Sequence, residues 1–302
     1  MAIEELTDLT IDRFAENPLI TPQLDDRIGS NINGPSLIRV PDWIEAPLGR
    51  YYLYFAHHNG TFIRLAYADE LTGPWQVYSP GTLDLSETRF DRHIASPDVH
   101  VDHEDETIRL YYHGCCGEFA HPAGPFSQAT DVAISSDGID FTVTGTTLGN
   151  SYFRVWEHEG RWYAIANDGH LYRGTDPEAP FDRLHEVFPR NRHVALQRLG
   201  PETLRVFLTR RGDRPERIQV AVIDLSRPAN EWVANPHPPE TVLWPTRDYE
   251  GGDLQLETSE TGPVYENTRA LRDPAVYQEA GRTYVFYAAA GERAIAGGVL
   301  DE

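Results

Sequence analysis

Arg50-Tyr51-Tyr52-Leu53-Tyr54-Phe55-Ala56-His57 is the stretch from which the fold is read. It follows a short polar turn, and its aromatic and apolar residues alternate roughly, which marks a strand. Four more copies follow: Ile108 to His113, Arg161 to Ala166, Leu204 to Thr209 and Thr283 to Ala288. Each is taken as strand B of a repeating unit. An apolar strand A precedes it, as in Pro35 to Val40, Pro97 to Val101 and Pro274 to Tyr277. A strand C follows, as in Ile63 to Tyr67, Asp131 to Ser135, Ile218 to Ile223 and Ala294 to Leu300. An aromatic residue after a Gly, Pro or Asp turn then opens strand D, at Trp75, Phe141 and Phe181.

Five B strands predict an all-β, five-bladed β-propeller of four-stranded antiparallel blades, occupying residues 1–302 as a single domain. A β-sandwich does not explain five A–B–C units. The last unit ends after its third strand, and the N-terminal segment Asn17 to Thr21 is expected to supply the missing outer strand and close the ring. Closure in this way removes an unpaired sheet edge.

Composition narrows the partners. Hydrophobic residues are 40% of the 302, enough for a true core. The formal net charge is −21, and lysine does not occur, so all 26 basic residues are arginine. A surface this acidic repels nucleic acid and anionic membranes. No apolar run approaches the roughly 18–20 residues of a membrane span, and Met1 to Asp12 carries no secretory pattern. The two cysteines, Cys115 and Cys116, are adjacent and form no disulfide framework. A cytoplasmic location is the expectation.

The blade pattern also sorts polar residues by face. If A descends from the top, the starts of A strands, the B–C loops and the D-to-A connections all lie at one mouth. A-strand starts carry Asn33, Asp98, His100, Arg154, His193, Arg272 and Asp273. B–C loops carry His57, His58, His113, Asp168, Arg210, Arg211 and Glu292. The long connection around Arg247 to Leu271 adds Glu250 and Asp253.

Leu271-Arg272-Asp273-Pro274 resembles the Arg-Asp-Pro motif of the arabinanase, levansucrase and invertase superfamily, which includes glycoside hydrolase families 43, 32 and 117. Asn33-Gly34-Pro35-Ser36 resembles its first-blade motif, with Gly34 where the family carries an Asp base or nucleophile. Tyr152-Phe153-Arg154 stands where the family has the Glu-Gly-Pro of its general acid. The resemblance spans nearly the whole chain as architecture. It implies a family 43-like glycosidase, with Asp273 orienting substrate and tuning the acid. It also implies an axial divalent cation, calcium. Family 117 supplies a precedent for histidine as the acid.

Glycoside hydrolysis ordinarily uses two carboxyl groups flanking the scissile bond. Asp98, Asp273, His100 and Glu250 are therefore the catalytic candidates. Asp98 also fits a strand-end residue that bonds backbone N–H groups. His100 lies two residues after Asp98, on the same side of its strand. Asn33, His57, His58, His113, Arg154, Asp168, His193, Arg210, Arg272 and Glu292 are the substrate-binding candidates. The arginines point to an anionic saccharide such as a uronate, or else to internal salt bridges. Cys115 and Cys116 with His113 and His121 have the donor types for zinc, without a tight ligand spacing. The expected partner is a small saccharide. A non-catalytic sugar-binding propeller and a protein-binding scaffold are the competing readings.

Overall fold

The computed structural model describes residues 9–115 and 127–301. Its strands form five sheets of four. Blade one is β2 (Asn33–Arg39), β3 (Tyr51–Ala56), β4 (Phe62–Ala68) and β5 (Gln76–Asp84). Blade two is β6 (Ile94–Asp102), β7 (Thr107–Gly114), β8 (Ala129–Ser135) and β9 (Thr142–Asn150). Blade three is β10 (Arg154–His158), β11 (Arg161–Ile165), β12 (His170–Gly174) and β13 (Asp182–Glu186). Blade four is β14 (Asn191–Arg198), β15 (Thr203–Arg210), β16 (Ile218–Asp224) and β17 (Asn235–Leu243). Blade five is β18 (Leu271–Glu279), β19 (Arg282–Ala289), β20 (Ala294–Asp301) and β1 (Thr10–Arg13). All neighbouring strands within a blade are antiparallel, and the five-bladed propeller is the fold of this chain.

The aromatic B strands follow from how blades stack. Each blade is sandwiched between two others, so both of its faces are buried. Along β3, Tyr52 and Tyr54 pack toward blade two with Ile108, Leu110 and Phe141. The alternate residues, Leu53 and Phe55, pack toward blade five with Phe286 and Ile295. The period-2 geometry of a strand thus feeds two separate clusters. β7 repeats this: Leu110 and Tyr112 face blade one, whereas Tyr111 faces blade three. Five such clusters occupy the five interblade gaps, and there is no single central core. Each large apolar side chain buried this way contributes on the order of 1.5–3 kcal/mol.

The closing strand differs from expectation. Thr10–Arg13, not Asn17–Thr21, pairs with β20, in the register Thr10↔Asp301 to Arg13↔Gly298. The Asn17 to Ile20 segment continues along the same edge as a bridge, Ile20↔Ile295, and the Asn17 side chain bonds both backbone groups of Gly297. Leu9 and Ile11 are buried and bring the strand into the blade four–five cluster. Among the described residues, no helix is long and apolar enough to cross a membrane.

Candidate functional site

The inner strands β2, β6, β10, β14 and β18 pack around the axis. Four of them begin with a residue in the left-handed region: Gly34 (φ 60°), Ser96 (φ 51°), Tyr152 (φ 65°) and Asp273 (φ 46°). Pro35, Pro97, Phe153 and Pro274 follow them. In three blades a register shift falls at the same place, between Asn33 and Ser36, Ala95 and Asp98, and Arg272 and Ala275. These three inner strands therefore bulge as they enter the sheet, and the bulge re-aims one side chain. A non-glycine residue in this conformation costs on the order of 1–3 kcal/mol, and such residues cluster at functional sites. Here three of them share one mouth.

His193 of β14 reaches this layer. Its Nε2 lies 2.9 Å from Asp273 Oδ1, with side-chain exposures of only 4% and 3%. Burial pushes the His193 imidazole down, further than Asp273 lifts it, so the ring is neutral at pH 7. Burial alone would raise Asp273, but the His193 contact and Arg154 hold it below the usual carboxylate value. A neutral ring facing a carboxylate donates its Nε2–H, which leaves a lone pair on Nδ1. His193 Nδ1 is buried and has no partner. Tyr152 lies beside it, with ring centroids 4.9 Å apart, and stacks at 4.0 Å on His113. Burial raises the Tyr152 hydroxyl and pushes His113 well down, so one is protonated and the other neutral. His93, pushed down to about 4 by burial, packs edge-on against His113.

A chain of buried charges flanks this pair. Glu216 lies 3.0 Å from Arg192 and 2.9 Å from Arg272. Arg272 continues to Glu292 at 2.9 Å. Glu292 also accepts from Asn31 at 2.6 Å and Asn33 at 3.4 Å, and lies 3.3 Å from His58. Burial would raise Glu292, but His58, Arg272 and Asn31 hold it well below the ordinary range. The same charges hold a strap over blades four and five. Arg192 donates to the Glu260 carbonyl and to Ser259 Oγ, Arg272 to the Gly262 carbonyl, and Val264 N to Glu292. His57 lies under Tyr265 of this strap, and burial together with Arg64 lowers it to about 4.

The mouth thus brings together Asn33, His57, His58, His113, His193, Arg272, Asp273 and Glu292. Asp98 and His100 lie elsewhere. They sit further along β6, past the bulge, in a cavity at mid-axis lined also by Ser36, Arg154, Ala195 and Ala275. Asp98 accepts from Val155 N at 2.9 Å, as Ser36 Oγ accepts from Val99 N at 2.9 Å one blade earlier. The two residues occupy equivalent positions and each ties its inner strand to the next, which is the backbone-bonding role. Asp98 also holds His100 Nε2 at 2.9 Å. Burial would raise Asp98, but His100, Arg154 and the Val155 N–H lower it.

Three other candidates are corrected by the structure. Glu250 is fully buried at the joint between termini, where Arg13 grips it at 2.7 and 2.9 Å and Tyr287 and Thr246 N donate to it. It is a structural anchor away from the axis. Asp168 pairs with Arg183 of the outer strand β13 at 3.0 Å. Arg210 is taken up by Gln219 and Asp213. The anion-binding expectation fails with it. Arg272 is doubly paired, Arg154 donates to the Ser96 and Phe153 carbonyls beside Asp98, and Arg211 donates to the Asn167 and Asn191 carbonyls. These guanidinium groups serve internal salt bridges and backbone carbonyls.

"Uncharacterized protein R118" of Acanthamoeba polyphaga mimivirus is 33% identical over 332 aligned positions, spanning 97% of this chain and 91% of that protein. This chain belongs to its family. No family model matches the sequence. Among solved structures, a putative glycosidase from Bacteroides thetaiotaomicron superposes with a TM-score of 0.65 at 11% identity, covering 97% of each chain. A GH43_1 enzyme from Xanthomonas citri complexed with xylose gives 0.59 at 12% identity, covering 99% of this chain and 92% of that one. At these identities the likeness is one of fold.

The mouth of this chain lacks the first-blade carboxyl that the resemblance implies. Gly34 has no side chain, and a Cβ there would meet the Ser96 Cα at 3.1 Å. Blade one is packed against blade two where the resemblance places an Asp. Among the described residues, no group of three or more His, Cys, Asp or Glu is arranged to hold a metal. Cys116 and His121 lie outside the described residues. Sequence reading passed over Glu216, Arg192 and His93. The signal for Glu216 was its place in a B–C loop, in the run Arg214-Pro215-Glu216-Arg217.

Proposed function

We propose that the axial mouth is the working site of a glycoside hydrolase-like enzyme acting on a small, neutral saccharide, with His193 and Asp273 as its acid–base pair. The buried 2.9 Å contact between them carries this reading, because it leaves His193 Nδ1 unpartnered in a polar mouth. Asp273 fixes the tautomer and stabilises the imidazolium that forms when Nδ1 takes a proton from water or a sugar hydroxyl. Tyr152, kept protonated by burial, supplies a neighbouring O–H donor. A neutral substrate fits better than a uronate, since the candidate arginines already have partners. The xylose complex of the Xanthomonas citri enzyme supports a pentose-sized ligand for this architecture.

A non-catalytic sugar-binding propeller is the second reading, favoured by Gly34 in the ring position of blade one. The test is turnover of a panel of neutral aryl glycosides, pentosides first, by wild type and by Asp273→Asn. Asparagine tolerates left-handed backbone, so the variant keeps the fold. Turnover that falls at least a hundredfold supports the acid–base pair. Turnover equal in both proteins removes Asp273 from the chemistry. Saturable sugar binding without turnover selects the binding reading.

A further inference from the structure

The axis has a second end. The inner strands finish on the face opposite the mouth, and there a pocket of about 470 Å³ opens among the A–B turns of blades two, three and four. Its volume lies within the roughly 300–1,000 Å³ usual for small-molecule sites. It shares His100, Val155 and Leu196 with the mid-axis cavity that holds Asp98, so the two adjoin. Arg154, buried between layers, separates this space from the mouth: it donates to the Ser96 carbonyl of the mouth ring and lies 3.9 Å from Asp98 on the other side.

We infer that this far-end pocket is a separate site for a neutral, polyhydroxylated ligand of monosaccharide size, with His100 as its inner polar contact. His100 is 37% exposed, far more than any partner in the mouth pair, and only its Nε2 is taken, by Asp98. Its Nδ1 therefore faces no protein partner among the described residues. The pocket wall is aromatic, with Tyr111, Trp156 and Trp162. Tyr111 Oη and Trp156 Nε1 are buried with no partner, which is unusual for polar atoms in a folded protein, and both lie in side chains that form the wall of this pocket. The donors of the nearby arginines are already taken up. Arg109 is held by Asp102 at 2.7 Å and Glu178 at 2.9 Å, and Arg198 donates to the Gly200 and Pro201 carbonyls. An anion would have to displace these partners from the arginines, whereas a ligand offering many hydroxyl groups against aromatic faces finds partners in the pocket as it stands.

The experiment titrates the full chain with D-xylose, D-glucose and myo-inositol, and with acetate and methylammonium as charged counterparts. Binding is followed through the His100 and Trp162 side-chain NMR signals in wild type, His100→Ala and Asp273→Asn. The expected result is saturable, millimolar binding of at least one neutral polyol, weakened fivefold or more by His100→Ala and kept in Asp273→Asn. Three results overturn the inference: no saturation up to about 100 mM of any polyol; binding unchanged in His100→Ala; or acetate or methylammonium binding as well as the polyols. Because the readout is binding at the far end, failure here leaves the acid–base pair of the mouth untouched, and loss of turnover in Asp273→Asn leaves the far-end result standing.

Discussion

Two histidine–carboxylate pairs lie along one axis, and both have contacts of 2.9 Å. His193 and Asp273 sit in the mouth at 4% and 3% exposure, and His100 and Asp98 sit deeper at 37% and 14%. Length alone makes them equivalent. Surroundings make them different. In the mouth, burial forces the imidazole to be neutral, and the carboxylate then decides which nitrogen keeps the proton. At mid-axis the carboxylate is shared with the Val155 N–H, so it works as a tie between strands, and its histidine opens to a water-accessible pocket. A close pair of the right residue types therefore does not define a catalytic site; what lies around the pair does.

Four measurements test this contrast. The largest effect is expected on stability. Glu216→Ala leaves Arg192 without a carboxylate and Arg272 with Glu292 alone, and breaking a buried ion pair costs about 3–5 kcal/mol. Asp98→Ala, by contrast, loses the strand-tying bond from Val155 N and the contact with partly exposed His100, and should cost about 1–3 kcal/mol. Urea unfolding midpoints compare the two, and equal losses would mean that the mouth charges are no more structural than Asp98. Next comes activity. Asp273→Asn and His193→Ala should each lower turnover of an accepted glycoside by about a hundredfold or more. His100→Ala should leave it within about twofold; a matching loss in His100→Ala would merge the two sites.

The third is a pH effect. His57 and His93 are lowered to about 4 from an ordinary value of 6.5. Between these values the unfolded chain binds the protons that the folded chain refuses. Stability is thus fully present above pH 6.5 and is lost as pH falls toward 4. Unfolding midpoints measured from pH 7 to 4 check this, with His93→Asn expected to flatten the slope; a flat wild-type profile would mean these rings are wetter than their burial implies. The smallest effect is expected for Ser36→Ala, which removes the bond to Val99 N and should cost about 1 kcal/mol without touching turnover.

The propeller was legible because both faces of every B strand are buried, so residues such as Leu53, Tyr54 and Phe55 stand out in a row. The closing strand was misplaced by several residues. Thr10–Arg13 is short and polar on alternate positions, whereas Pro18-Leu19-Ile20 carries the stronger apolar signal but bends at the sheet edge. Which face a residue occupies was readable from strand order, and it put His58, His193, Asp273 and Glu292 together. Depth was not readable. Asp98 stands two residues beyond Ser96, and a bulge with left-handed Ser96, Tyr152 and Asp273 decides which layer each enters. None of those three is glycine, so nothing in the sequence announced the bulge. Partners were equally hidden: the arginines were counted without Glu216, and Glu250 was weighed without Arg13.

The ring closed by Thr10–Arg13 also sets an order of events during synthesis. At about 5–20 residues per second, the ribosome needs tens of seconds to make the chain between Thr10 and its partner Asp301. Through that interval blades one to four can assemble in sequence, but Leu9 and Ile11 have no β20 to join and Arg13 has no Glu250 to grip for most of it. Strand β1 is thus translated before the other strands of the ring yet placed after them, and the propeller closes only once β20 has left the ribosome.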